Sequence, residues 1–145
     1  MLTIAQIPYR LTSAFKNMAI KVTHIKPEFT DERGFISRLV NEEDLPFKAV
    51  LLIVSKKGAV RADHYHKKDY HYAYCLSGKF RYSEKNMSKP SSKTESVILN
   101  AGDMVLSRPM MAHRMEFLED SVFLAITTES RDHDKYEADT VRLKF

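Results

Sequence analysis

Three of the six histidines and four of the seven tyrosines fall in one stretch, GAVRADHYHKKDYHYAYCLSG, at positions 58–78. A neutral imidazole offers a ring nitrogen to a divalent transition metal, or accepts a proton near neutral pH. In an extended chain successive side chains alternate between faces, so His64 and His66 lie on one face of one strand, with Val60 and Ala62. His71 shares its face with Ala73, Cys75 and Ser77, small residues that leave volume beside the ring. Tyr70, Tyr72, Tyr74 and Leu76 take the opposite face, where Tyr72 and Tyr74 are expected to be core residues. A third run places His113, Met115 and Phe117 together. Singly, each of these histidines is more simply a half-buried structural residue. All four in mutually consistent positions point to a shared site. Four imidazoles without a carboxylate would suit Zn, Fe, Ni or Cu rather than Mg or Ca.

The elements that must position these residues read as strands. KVTHIKPEF, GFISRLV, FKAVLLIVS, AVRADHYH, YHYAYCLSG, KFRYSEK, ESVILNAGD, HRMEFLE and SVFLAITTES are rich in β-branched and aromatic residues. Segments with turn chemistry separate them: TDERG, NEEDLP, SKKG, NMSKPSSK and AGD. NMSKPSSK reads as a mobile hairpin tip. Nine short strands without a long amphipathic helix predict an all-β sandwich or barrel. SRDHDKYEADTVRL, at 130–143, reads as a polar excursion that returns as a final edge strand, with no chemistry assigned to it. Residues 1–20 have weak periodicity and are expected to form an N-terminal arm packed on a partner subunit, with residues 21–145 as the domain.

The chain has 145 residues, which fits one domain with a core of its own. Its single cysteine, Cys75, excludes an internal disulfide, and no apolar run is long enough for a transmembrane helix. The first twenty residues lack the apolar region of a signal peptide, so a cytoplasmic protein is expected. The net charge of +4 permits binding of phosphate groups. No basic run studded with aromatic residues is present, which argues against nucleic-acid binding.

The positions of the histidines resemble the two cupin motifs. Gly58, His64, His66 and Gly78 match the first, G-x5-H-x-H-x4-E-x6-G, with His71 in place of the glutamate. Gly102 and His113 stand eleven apart, as in the second motif, although Arg108 and Met110 replace its Pro and second Gly and Phe117 replaces its Asn. The resemblance implies a single-domain cupin jelly-roll barrel (a double-stranded β-helix). It also implies metal ligands at His64, His66, His71 and His113 for a divalent transition metal such as Zn, Fe, Ni or Mn, with no organic cofactor.

A narrower resemblance runs from about residue 29 to 143. RADHYHKK followed by YCLSGKF, and PMMAHRMEFLEDSVFLAI, look like segments of the dTDP-sugar 3,4-ketoisomerases. DERGF and Arg61-x-x-His64 are similar to the dTDP-4-dehydrorhamnose 3,5-epimerases. Those families use no metal. Ala62 stands where they have Gly, and the ketoisomerases usually carry Gln at the position of His71. The resemblance implies an isomerase or epimerase that removes a proton beside the carbonyl of a nucleotide-linked 4-keto-6-deoxyhexose, in surface polysaccharide synthesis. Such chemistry needs a base and a group to hold the enolate oxygen. His64 is expected as the base, with His66 as shuttling partner or electrophile. Arg33, Arg61, Lys68 and Arg108 are the candidate groups for holding substrate, since a guanidinium forks two donors onto phosphate oxygens. Strict alternation puts Arg61 and His64 on opposite faces, so bringing both inward requires a β-bulge. Two other functions remain open: a metal-dependent cupin oxygenase with a four-histidine site, and a non-catalytic cupin that binds a small ligand. A homodimer is expected, with no nucleic-acid or membrane partner.

Overall fold

SVFLAIT alternates strictly between buried and half-buried positions, and in MAHRMEF the row His113, Met115 and Phe117 is buried. That pattern builds a sandwich, because each strand needs one apolar face against a second sheet. The computed structural model describes residues 20–145, Asp44 excepted.

The strands are β1 (Thr23–His24), β2 (Phe29–Asp31), β3 (Gly34–Ile36), β4 (Ala49–Ser55), β5 (Val60–His66) and β6 (His71–Ser77). There follow β7 (Lys79–Asn86), β8 (Glu95–Asn100), β9 (Asp103–Ser107), β10 (Met111–Phe117), β11 (Ser121–Thr127), helix α1 (His133–Asp139) and β12 (Thr140–Arg142). Two five-stranded antiparallel sheets, β1-β9-β6-β11-β4 and β12-β5-β10-β7-β8, form an all-β jelly roll rather than a closed barrel. The hairpin β2–β3 pairs with no other described strand. Each of the nine expected strand segments holds a strand, and the excursion at 130–143 does return as an edge strand, β12. Strand β9 goes beyond the nine expected segments, and GDMVLS lies within the second motif. The proposed arm lies outside the described residues, apart from Ile20.

The core between the sheets is graded along the strands. At one end Phe80, Phe117 and Phe123 pack with ring centroids 5.2–5.8 Å apart, beside Leu99, Val105 and Cys75. Toward the other end the inward positions turn polar: His113 on β10 and His71 on β6 continue the rows that hold Phe117 and Cys75. The outer faces differ in the same way. The β5-β10-β7 sheet carries a charged ladder, in which Arg114 pairs with Asp63 and Glu116, and Arg81 pairs with Glu116. The other sheet presents Val50, Leu52 and Val54 to solvent, 60–66% exposed, in register with Ile126, Leu124 and Val122. Tyr72 and Tyr74 belong to this outer face and are half-buried, not core. Tyr72 packs on Phe47 and donates to Glu42 Oε1. The small side chains of β6 face inward because the facing rings and the cavity take up that space.

Candidate active site

The four histidines predicted from spacing meet at the polar end of the sandwich. Ring centroids lie 4.6 Å apart for His64 and His66, 4.8 Å for His64 and His113, 5.4 Å for His66 and His71, and 5.0 Å for His71 and His113. All four are buried. Their elements explain the meeting. His64 and His66 alternate inward on β5, His113 pairs with His64 across β10, and His71 opens β6 on the opposite sheet.

A bulge re-aims β5. Between His113 and Arg114 the register slips, so that His113 opposes His64 while Arg114 opposes Ala62. Asp63 is the extra residue, and Ala62 and Asp63 take φ of 72° and 53°. Asp tolerates this left-handed region and Ala does so only at a cost. The slip restores Arg61 to the face of His64, as the sequence required for both to point inward.

The rings border a cavity of about 330 Å³. His64, His66 and His71 line its polar side, and Leu51, Ile53, Met115, Phe123 and Ala125 its apolar wall. Arg61, Arg131 and Tyr136 complete it. Arg61 reaches back to Ser55 Oγ (2.7 Å) and the Val54 carbonyl (3.0 Å). Arg33, Lys68 and Arg108 do not line this cavity. Arg33 is exposed on the β2–β3 hairpin and paired with Asp31. Lys68 is exposed on the turn after β5. Arg108 is half-buried, and its charge acts on Tyr70, Tyr82 and Glu84.

Hydrogen bonds orient three of the four rings. The Met111 carbonyl, which can only accept, lies 3.0 Å from His113 Nδ1. Thr140 Oγ1 donates its proton to the Tyr136 carbonyl (2.7 Å), so it meets His66 Nδ1 (3.2 Å) as an acceptor. His71 Nδ1 lies 3.1 Å from Asp69 Oδ2. In each case Nδ1 carries the proton and Nε2 keeps a lone pair. The rings of His64 have no hydrogen-bond partner among the described residues. Burial, then the charge that neighbouring imidazoles would carry, lowers His64 and His66 to a pKa of about 3. The same causes hold His113 well below the usual range. His64, His66 and His113 are therefore neutral at physiological pH and rich in lone pairs.

That donor set fits a divalent transition metal. Ring nitrogens of His64, His66 and His113 lie within 4.8 Å of one another, and the outward Nδ1–H bonds are the outer-shell support such ligands use. Asp69 also lies within reach of His66 and His71. Its oxygens are already spent: Oδ1 accepts from Thr128 N–H, Thr128 Oγ1–H and Glu129 N–H, and Oδ2 from His71 and Arg131.

The sequence reading missed Asp69, Arg131, Tyr136 and Thr140. The last three come from the segment to which no chemistry was assigned. Arg131 lies over the Tyr136 ring at 5.1 Å, and that ring stands 5.7 Å from His66. The D-x-H spacing of Asp69 and His71 was the one local signal available. The others reach the site only through the fold.

The comparisons agree with this architecture. The QdtA 3,4-ketoisomerase of Thermoanaerobacterium thermosaccharolyticum, a double mutant solved with TDP, is similar at 26% identity and a TM-score of 0.67, over 86% of this chain and 87% of that one. A 3,4-ketoisomerase from Helicobacter canadensis superposes with a TM-score of 0.68 at 20% identity, over 88% of this chain and 92% of its own. The dTDP-4-dehydrorhamnose 3,5-epimerase of Sulfolobus tokodaii gives 0.68 at 21% identity, over 85% and 84%. At those lower identities the likeness is one of fold. No curated protein sequence matches. A family model described as FdtA: WxcM-like, C-terminal matches residues 18–144, a span that takes in all four histidines, the bulge and the segment that closes the cavity, and the chain belongs to that family.

Proposed function

We propose that this protein is an isomerase or epimerase of a nucleotide-linked 4-keto-6-deoxyhexose, acting by proton abstraction next to the carbonyl. The observation that carries this reading is the pair of buried, neutral imidazoles, His64 and His66, facing a cavity of about 330 Å³, within the range of small-ligand sites. Membership of the FdtA family and similarity to a 3,4-ketoisomerase support it. In the reaction a histidine takes the proton from the carbon beside the keto group. The electron pair of that C–H bond moves to the carbonyl oxygen and leaves an enediolate. For an isomerase the proton returns to the former carbonyl carbon, the carbonyl oxygen gains a proton and the hydroxyl of the first carbon loses its own; for an epimerase the proton returns to the opposite face of the same carbon and the carbonyl re-forms.

His64, whose nitrogens are not engaged by other described residues, serves as the base, and His66 is its partner. Arg61 and Arg131 supply positive charge for the enolate or for phosphate oxygens. The sugar ring lies in the cavity and the nucleotide extends from it. The reaction belongs to the cytoplasm and to surface polysaccharide synthesis.

The test is incubation of the protein with such sugars in D₂O, followed by NMR. Solvent deuterium should enter at C4 of the 3-keto product and at C3 of recovered substrate for an isomerase (at C3 or C5 for an epimerase), and His64→Asn should lose about 10²–10⁴-fold in rate. A sugar that binds without exchange would leave a small-ligand binding protein. Metal uptake without binding of the sugar would favour an oxygenase.

The close approach of ring nitrogens from His64, His66 and His113 favours one further reading. We infer that His64, His66 and His113, with His71 adjacent, bind a divalent transition metal such as Zn, Fe, Ni or Mn, which when bound would act as a Lewis acid. Elemental analysis of untagged protein checks this: a folded protein that takes up none of these ions rules it out. A homodimer is also part of the proposal. The exposed stripe Val50, Leu52 and Val54 and the apolar residues Leu2, Ile4, Ile7, Leu11 and Phe15 support it.

A further inference from the structure

The turn between β5 and β6 and the segment that closes the cavity are clamped to each other by two buried carboxylates. Asp139, at the end of α1, accepts from the backbone N–H groups of Lys68 (2.8 Å) and Asp69 (3.2 Å). Asp69 reaches the other way, to the backbone at Thr128 and Glu129 and to Arg131 Nη2 at 2.7 Å. The fifth donor to Asp69 is His71 Nδ1. Asp69 is 1% exposed.

We propose that Asp69 is a positioning residue of the active site. Acting through His71, it presents an Nε2 lone pair to the sugar hydroxyl beside the keto group, and through the same oxygen it holds Arg131 at the cavity. The inference rests on the reading proposed above for its ligand and on geometry alone for its mechanism. An ionised carboxylate has no proton to donate, so the hydrogen in the Asp69–His71 bond must sit on Nδ1. Four donors besides His71, the Arg131 guanidinium at 2.7 Å among them, fill the Asp69 oxygens and leave no place for a carboxyl proton. With Nδ1 bound to Asp69, the ring edge left to the cavity carries Nε2 as an acceptor. The hydroxyl at the carbon that becomes the new ketone needs such an acceptor. His66 and His113 are oriented by a threonine hydroxyl and a backbone carbonyl. Of the four rings, His71 alone makes a direct hydrogen bond to a carboxylate among the described residues.

The test uses the full chain, freed of metal and labelled with ¹⁵N at histidine. In the wild type, NMR should find His71 protonated at Nδ1 and bare at Nε2. Asp69→Asn inverts this. Three donors at the Oδ1 position keep the amide oxygen there, so the amide NH₂ faces His71 and forces Nδ1 to accept. Nε2 should then carry the proton, and kcat for deuterium incorporation should fall tenfold or more, as for other outer-shell partners, while KM changes less. A His71 that is protonated at Nε2 in the wild type overturns the proposal, and that measurement needs no variant to fold. So does an Asp69→Asn protein that keeps the wild-type kcat. If neither protein exchanges deuterium, the sugar reading fails, while the His71 spectrum still decides the role of Asp69.

Discussion

Hydrogen bonds decide which ring nitrogen His66, His71 and His113 turn inward, and burial decides the charge of His64 and His66. His64 and His66 titrate near 6.5 in an unfolded chain but at about 3 when folded, because burial and neighbouring imidazoles disfavour the cation. Between those two values the unfolded state binds more protons than the folded state. Stability is therefore intact above about 6.5 and declines as pH falls toward 3. Urea unfolding of metal-free protein at pH 7.5, 6 and 5 should show a falling midpoint. Replacing both histidines by Gln should flatten that dependence. A midpoint equally steep in the double variant would show that other groups control acid stability. Cys75 is the opposite kind of residue: burial, with Asp103 and Glu119 nearby, raises its thiol to about 11, so it packs and does not react.

At the scale of elements, β5 depends on its bulge. Without the extra residue Asp63, strand alternation would turn Arg61 away from the cavity that His64 faces. Ala62 at φ 72° bears the strain of this kink. Ala62→Gly should raise stability by about 0.5–1 kcal/mol, the left-handed penalty less the entropy of glycine, read from chemical denaturation. Ala62→Val should lower it. The connection from β6 to β7 has the reverse need. Gly78 has φ 83°, and a Cβ there would run into Ser121 and the Asp120 carbonyl. Gly78→Ala should cost about 3 kcal/mol, from backbone strain and overpacking together. A thermal midpoint unchanged from wild type would mean that the turn relaxes freely.

The whole molecule has one charged outer face and one apolar outer face. β4 is an edge strand with an apolar outer stripe that reads Val50, Leu52, Val54. Monomers usually protect such edges with charge, proline or a bulge. The paired substitution Leu52→Glu and Val54→Glu should lower the mass seen in light scattering to that of one chain and leave the strand signal in circular dichroism intact. Deleting residues 1–15 should have a similar effect if the arm packs on a partner. A protein that keeps the same dimeric mass after both changes associates through another surface, and one that is monomeric from the start overturns the dimer.

Period-two alternation placed His64, His66, His71 and His113 on inward faces, and the turn residues between the β-rich runs marked the strands. Both signals are local, since each depends only on neighbours within a few residues. The need for a bulge between Arg61 and His64 was legible as a conflict of period, but its position at Ala62 and Asp63 depended on the pairing of β5 with β10. Tyr72 and Tyr74 are expected in the core because alternation turns them away from the His71 face, yet which face of β6 is inner was decided by the sheet opposite. Asp69 has its D-x-H spacing to His71, whereas Arg131, Tyr136 and Thr140 carry no pattern of their own. They reach the histidines across about sixty to seventy residues of chain, through β11, α1 and β12. Only the packing of the last segment over the open end of the sandwich could bring them there, because a buried carboxylate and a buried guanidinium must find each other once both leave water.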